Sequence, residues 1–148
     1  MEPVATALKD LGGRVGLPNL QFDREGDATL QFDGVLRISF HRLDPETLEI
    51  WAPVEGFGPA HDAGIMRRAL EGNHLGEGTG AGRIALQPGG SRFVLCERVA
   101  VAGMTAEALE RRILAFVQNL AVWQSDAAGG PADEAPGEVN GDSVLIRA

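Results

Sequence analysis

An α+β fold is predicted for this chain: an antiparallel twisted sheet of about five strands with three helices, in the order α-β-β-β-α-β-β-α. Three observations carry this expectation. Short apolar–polar alternations recur from residue 19 to 53 and again from 83 to 99, the period of half-buried strands. The central stretch AHDAGIMRRALEGNHLGEGTGAGRIALQP, residues 60–88, passes from helical spacing through a glycine-dense turn into another strand. Near the other end, Leu109, Ile113, Phe116, Leu120 and Trp123 repeat at four, three, four and three, the stripe of a long amphipathic helix.

The elements follow in order. Pro3 suits the first turn of a helix, and Val4, Leu8 and Leu11 lie on one face before Gly12 and Gly13, which are expected to end it. NLQFD alternates with Leu20 and Phe22 on one side, DREGD turns, and TLQFD alternates again with Leu30 and Phe32. Asp33-Gly34 is a hairpin signal, after which Leu36, Ile38 and Phe40 oppose Val35, Arg37 and Ser39. Asp44-Pro45 breaks the chain, and TLEIWAPV returns with Leu48, Ile50 and Ala52 on one face and Trp51 beside Glu49 on the other. RIALQ and RFVLCERV flank the turn Pro88-Gly89-Gly90-Ser91 as an antiparallel pair. Thr105 is the expected N-cap of the last helix, with Glu107 and Glu110 where its dipole favours acids.

The central helix has apolar residues on more than one side, because Ile65, Met66, Ala69 and Leu70 spread wider than a single sheet-facing stripe requires. The surplus is expected to be buried against a second copy. A homodimer interface built from Ile65, Met66, Ala69, Leu70, Asn73 and Leu75 follows.

Composition bounds the rest. A chain of 148 residues, 44% of them hydrophobic, suits one compact domain of modest size, assigned to residues 1–124. From Ser125 the sequence AAGGPADEAPGEVNGD carries too little apolar surface to offset the entropy of ordering it, so 125–148 is expected to be a disordered acidic Gly/Pro-rich tail. Asp126, Asp133, Glu134, Glu138 and Asp142 against Arg147 give that tail half of the net charge of -8. Within it SVLIR, residues 143–147, is apolar and β-prone; it reads as a frayed terminus, the alternative being a strand added to a sheet edge in this or another molecule. The negative charge and a pI near 4.8 argue against nucleic acid, which needs a basic patch. Cys96 is the only cysteine, excluding an intrachain disulfide, and a cytoplasmic protein is expected. MEPVATALKDLGG lacks the pattern of a signal peptide, and no apolar run approaches the roughly 20 residues that span a bilayer.

Catalysis finds little support. The glycine run GEGTGAG follows a helix and precedes a strand, the reverse of a phosphate-binding loop, and Lys9 is the only lysine. His41, His61 and His74 lie far apart without metal-ligand spacing; His61-Asp62 is expected to cap the central helix and His74 to complement its dipole. No serine sits in GxSxG, and tyrosine is absent. No catalytic residue, metal ligand or cofactor site is assigned, and a non-enzymatic binding protein is expected.

The entry Val15-Gly16-Leu17-Pro18, the repeat LQFDREGDATLQFD, LEIWAPV, and above all ALEGNHLGEGTGAGRIALQPGG together resemble the small dimeric type III secretion chaperones that escort bacterial effectors. The likeness covers about residues 4–124. It implies a homodimer without enzymatic activity or cofactor that binds the N-terminal region of a secreted effector and holds it non-globular for export. A secretion-apparatus ATPase is a further implied partner, with no nucleic acid or membrane. Candidates for the client surface are Leu20, Phe22, Leu30 and Phe32 as a groove beside the first helix, and Val35 and Trp51 opposite the core-facing residues of their strands. The first four serve equally well as ordinary core. A regulatory or structural dimer of the secretion apparatus, and a small enzyme, are the competing classes.

Overall fold

The computed structural model describes residues 1–32, 34, 36–58, 62–89 and 92–128. Their order is α1 (Pro3–Arg14), β1 (Asp27–Phe32), β2 (Leu36–Asp44), β3 (Thr47–Pro53), α2 (Ala63–Asn73) closed by a 3₁₀ turn (His74–Gly76), β4 (Arg83–Leu86), β5 (Phe93–Ala100) and α3 (Ala106–Ala128). The five strands form a sheet in the order β1-β2-β3-β5-β4, and the ladders β1·β2, β2·β3 and β4·β5 are antiparallel. The expected α+β order is thus the observed one. By contacts the described chain divides into two units, Met1–Trp51 with Glu97–Ala115, and Ala52–Cys96 with the part of α3 from Phe116 onward.

In the first unit the buried apolar set includes Val4, Leu8 and Leu11 of α1, Ala28, Leu30 and Phe32 of β1, Ile38 and Phe40 of β2, Leu48 and Ile50 of β3, and Leu109 and Ile113 of α3. These are the period-two and period-3.6 positions of the sequence. The β2–β3 hairpin is fastened to the start of α1, where Val4 N donates to Pro45 O at 3.0 Å and Arg42 forks onto the Glu2 carboxylate at 2.6 and 2.7 Å. Two expectations are corrected here. Gly12 and Gly13 do not end α1: Leu17 N reaches back to Gly12 O at 2.7 Å, and a Cβ on Gly12 would stand 2.4 Å from Leu17 O, so the glycine permits a close approach. The helix stops instead before Gly16, at φ +79°. NLQFD is no strand, because Asp23 folds back on Asp27: its N–H donates to Asp27 O at 2.8 Å while its carboxylate accepts from the N–H groups of Glu25 and Asp27. An Asx turn has overridden the alternation.

The second unit buries Ala52, Val54, Phe57, Ala69, Ile84, Phe93, Leu95, Phe116, Leu120 and Trp123. Phe57 meets Phe93 and Trp123 edge-on, each at 5.1 Å between ring centroids. The glycine-dense turn closes onto the Trp123 indole. Trp123 Nε1 donates to Gly78 O at 2.7 Å, and a Cβ on Gly72 would lie 2.6 Å from the ring, so glycine is required for the approach. Asp62 caps α2 as expected, accepting from Ile65 N at 3.0 Å, and Thr105 caps α3 through Ala108 N at 3.1 Å. The α3 helix continues to Ala128, three residues past the composition shift at Ser125; residues 129–148 of the expected tail, and His61, lie outside the described residues.

Candidate partner-binding surfaces

In the first unit the sheet ends at β1, and its backbone directions follow from the register. Arg42 N donates to Gly26 O at 2.8 Å, and because bonded pairs alternate, Ala28, Leu30 and Phe32 turn their N–H and C=O groups toward β2. Asp27, Thr29 and Gln31 turn theirs outward. Asp23 occupies both outward groups of Asp27. Among the described residues nothing pairs with the outward groups of Thr29 and Gln31, so the edge is open over those two residues. Beside it Leu17, Pro18, Asn19, Leu20 and Thr29 line an open depression of about 280 Å³.

The expected client residues divide at this edge. Leu20 and Phe22 are half-buried in the segment leading to β1, and Leu20 lines the depression. Leu30 and Phe32 are corrected to core: at 2% and 4% exposure they point to the covered face of the sheet and offer nothing to a partner. Val35 lies outside the described residues. Trp51 is half-buried opposite Ser39, and Glu49 on the same face is drawn in to 7% exposure with Arg98 Nε 3.3 Å away. That face is therefore partly covered by its own side chains.

In the second unit α2 leaves apolar surface uncovered. Met66 and Leu70, one turn apart, are exposed, Leu70 at 72%, and Leu75 in the turn that follows reaches 86%. Leu75 also has φ +54°, a left-handed conformation strained for a residue with a branched side chain. Ile65 is half-buried. Ala69 is corrected, being buried within the chain, and the amide of the half-buried Asn73 is used internally, its Oδ1 accepting from Ile84 N at 2.8 Å and its Nδ2 donating to Ile84 O at 3.1 Å. Asn73 thus takes the place of a neighbouring strand and closes the β4 edge at Ile84.

Several charged side chains are paired within the chain. Hydrogen bonding from Arg42 holds the Glu2 carboxyl below its ordinary value of 4.5, and the Glu46 N–H does the same for Asp44 against 3.8. His41 Nδ1 lies 2.7 Å from Asp27 across the β1·β2 pair, Glu97 accepts from Arg112 at 2.9 Å, and Arg14 pairs with Glu110. No group of His, Cys, Asp and Glu among the described residues could hold a metal ion. No helix among them is long and apolar enough to cross a membrane. The chemistry on offer is association through an open strand edge, a shallow depression of mixed polarity and an apolar helix face. Sequence reasoning missed Phe57, which no periodic element carries, and the closure of the β4 edge by Asn73, whose only signal was an amide at the helix end.

The fold is shared with solved structures. It resembles a chain of the ExsC-ExsE complex at 27% identity and a TM-score of 0.67, over 82% of this chain and 90% of that one. A chain of the HopA1-SchA chaperone-effector complex matches at 14% identity and TM-score 0.70, over 84% and 94%. One from the complex of the Yersinia pestis type III secretion chaperone SycH with a stable fragment of YscM2 matches at 13% and 0.63, over 80% and 98%. The last two carry the fold alone. Curated protein sequences include no match. The model of one protein family fits residues 6–124, from the first turn of α1 nearly to the end of α3, and on that extent the chain belongs to the Tir chaperone protein (CesT) family of type III secretion chaperones.

Proposed function

We propose that this chain is a type III secretion chaperone that acts in the cytoplasm as a homodimer, binds the N-terminal region of an effector, keeps it soluble and secretion-competent, and escorts it to the export apparatus. Its work in this reading is association, not catalysis. Residues 1–124 are the chaperone domain, and 125–148 an appended acidic segment. The observation that carries the reading is the family match across residues 6–124. Two features of the surface support it. Leu20 and Phe22, with the depression beside β1, offer an extended client both aliphatic contacts and backbone pairing at Thr29 and Gln31, and Trp51 adds a half-buried aromatic anchor in the same unit. On α2, Met66, Leu70 and Leu75, with Ile65 at their margin, present an apolar surface flanked by Arg67 and Glu71. Arg67 and Glu71 pair with each other at 2.8 Å along the helix, so the patch carries no net charge to repel a second copy across a two-fold axis.

The test is mass spectrometry of what co-purifies with the native protein, followed by limited proteolysis of the complex. The expected result is a secreted protein retained through an N-terminal fragment that the protease spares. A folded partner gripped through one patch, or no partner, would overturn the effector-binding reading.

A further inference from the structure

The sheet has two edges, and they are treated differently. At β4 the Asn73 amide satisfies both outward groups of Ile84, whereas at β1 Thr29 and Gln31 present two N–H and two C=O groups with no partner among the described residues. An open edge next to a depression that offers Leu17, Pro18 and Leu20 beside the polar Asn19 and Thr29 is a template for one more strand. The chain itself carries a segment of the matching kind: Val144, Leu145 and Ile146 make three successive β-prone aliphatics, preceded by Asp142 and followed by Arg147.

We propose that residues 143–147 add to the free edge of β1 in the same molecule, with a side chain of the segment seated in the depression formed by Leu17, Pro18, Asn19, Leu20 and Thr29. Charge selects the direction. In an antiparallel alignment Arg147 comes to the end of β1 where Asp23 and Asp27 stand, and Asp142 comes toward Gln31, whose cross-strand neighbour is Arg37. The parallel alignment would place Asp142 against Asp23 and Asp27. Reach is not limiting. Fourteen residues separate Ala128 from Ser143, a span of about 46 Å when extended and about 20 Å on average, against a radius of gyration of about 14 Å for a folded body of this size. Such a tether holds the segment at an effective concentration on the order of millimolar.

The proposal needs no client to be tested, so it stands or falls apart from the effector-binding reading. Hydrogen exchange at single amides is compared between the full chain and the full chain carrying Leu145→Asp with Ile146→Asp. The Thr29 and Gln31 amides should exchange about tenfold faster or more in the variant, while Leu30, whose N–H faces β2, stays unchanged. The slow exchange in the unsubstituted chain should not depend on protein concentration. Equal exchange at Thr29 and Gln31 in both proteins overturns the proposal, as does a matching change at Leu30, which would mean that the whole fold is loosened. Protection that grows with concentration overturns it too, by placing the segment on another molecule.

Discussion

Asn73 holds a disproportionate share of the second unit's order, because one amide satisfies a donor and an acceptor that β4 would otherwise leave to solvent or to another chain. Replacing it by Ala is expected to cost about 2 kcal/mol, the penalty for two part-buried backbone groups losing their partners, read from urea unfolding. Light scattering should rise in the same variant as the β4 edge opens. This role was not legible in the sequence, where an amide at the end of an apolar helix reads as interface; its partner Ile84 is brought to it by the glycine turn between them. Leu30 and Phe32 illustrate the same limit. Alternation shows that they share a face, but which face is covered is settled by elements far along the chain. At the other extreme of burial, Glu2 and Asp44 have carboxyl values lowered by Arg42 and by the Glu46 N–H. A lowered folded value means stability that is present above the ordinary values of 4.5 and 3.8 and lost as pH falls through the folded ones. The urea midpoint of the unsubstituted chain should therefore exceed that of the Glu2→Gln/Asp44→Asn variant near neutrality. The gap should narrow as pH falls past those ordinary values and close once both carboxyls are protonated in the folded chain, and a gap independent of pH would show that neither pair contributes through its charge.

Among the elements, α3 was the most legible, since a 3.6-period stripe over four turns with a Thr cap leaves little choice, and Thr105 and the five stripe residues stand where the spacing puts them. The segment before β1 was the least, because its two alternating apolar residues look like a strand until the Asp23 turn is seen to take the bonds a ladder would need. For α2 the width of the apolar stripe correctly announced a surplus, and Met66 and Leu70 are that surplus. Met66→Glu is expected to convert a dimer to a monomer at micromolar concentration in sedimentation, without lowering the thermal midpoint of the protomer, since the side chain is already exposed within it. An interface of standard size, on the order of 1,600 Å², is what the α2 surface would have to supply together with its surroundings. An unchanged sedimentation coefficient for Met66→Glu would remove α2 from the interface.

For the molecule as a whole, a net charge of -8 at neutral pH keeps exposed apolar surface in solution through mutual repulsion, and that protection vanishes near the pI of about 4.8. Solubility is expected to pass through a minimum there and to recover on either side, measured as protein remaining after centrifugation across a pH series. A chain that stays equally soluble at its pI would show that its apolar surfaces are already covered. The placement of the two tryptophans has an optical consequence. Trp123 is buried with its Nε1 bonded to Gly78 O in one unit, Trp51 is half-exposed on a strand of the other, and no tyrosine contributes to the emission. Fluorescence of a Trp51→Phe chain should therefore peak at shorter wavelength than that of a Trp123→Phe chain and resist quenching by iodide, giving each unit its own built-in lamp by which its unfolding can be followed separately.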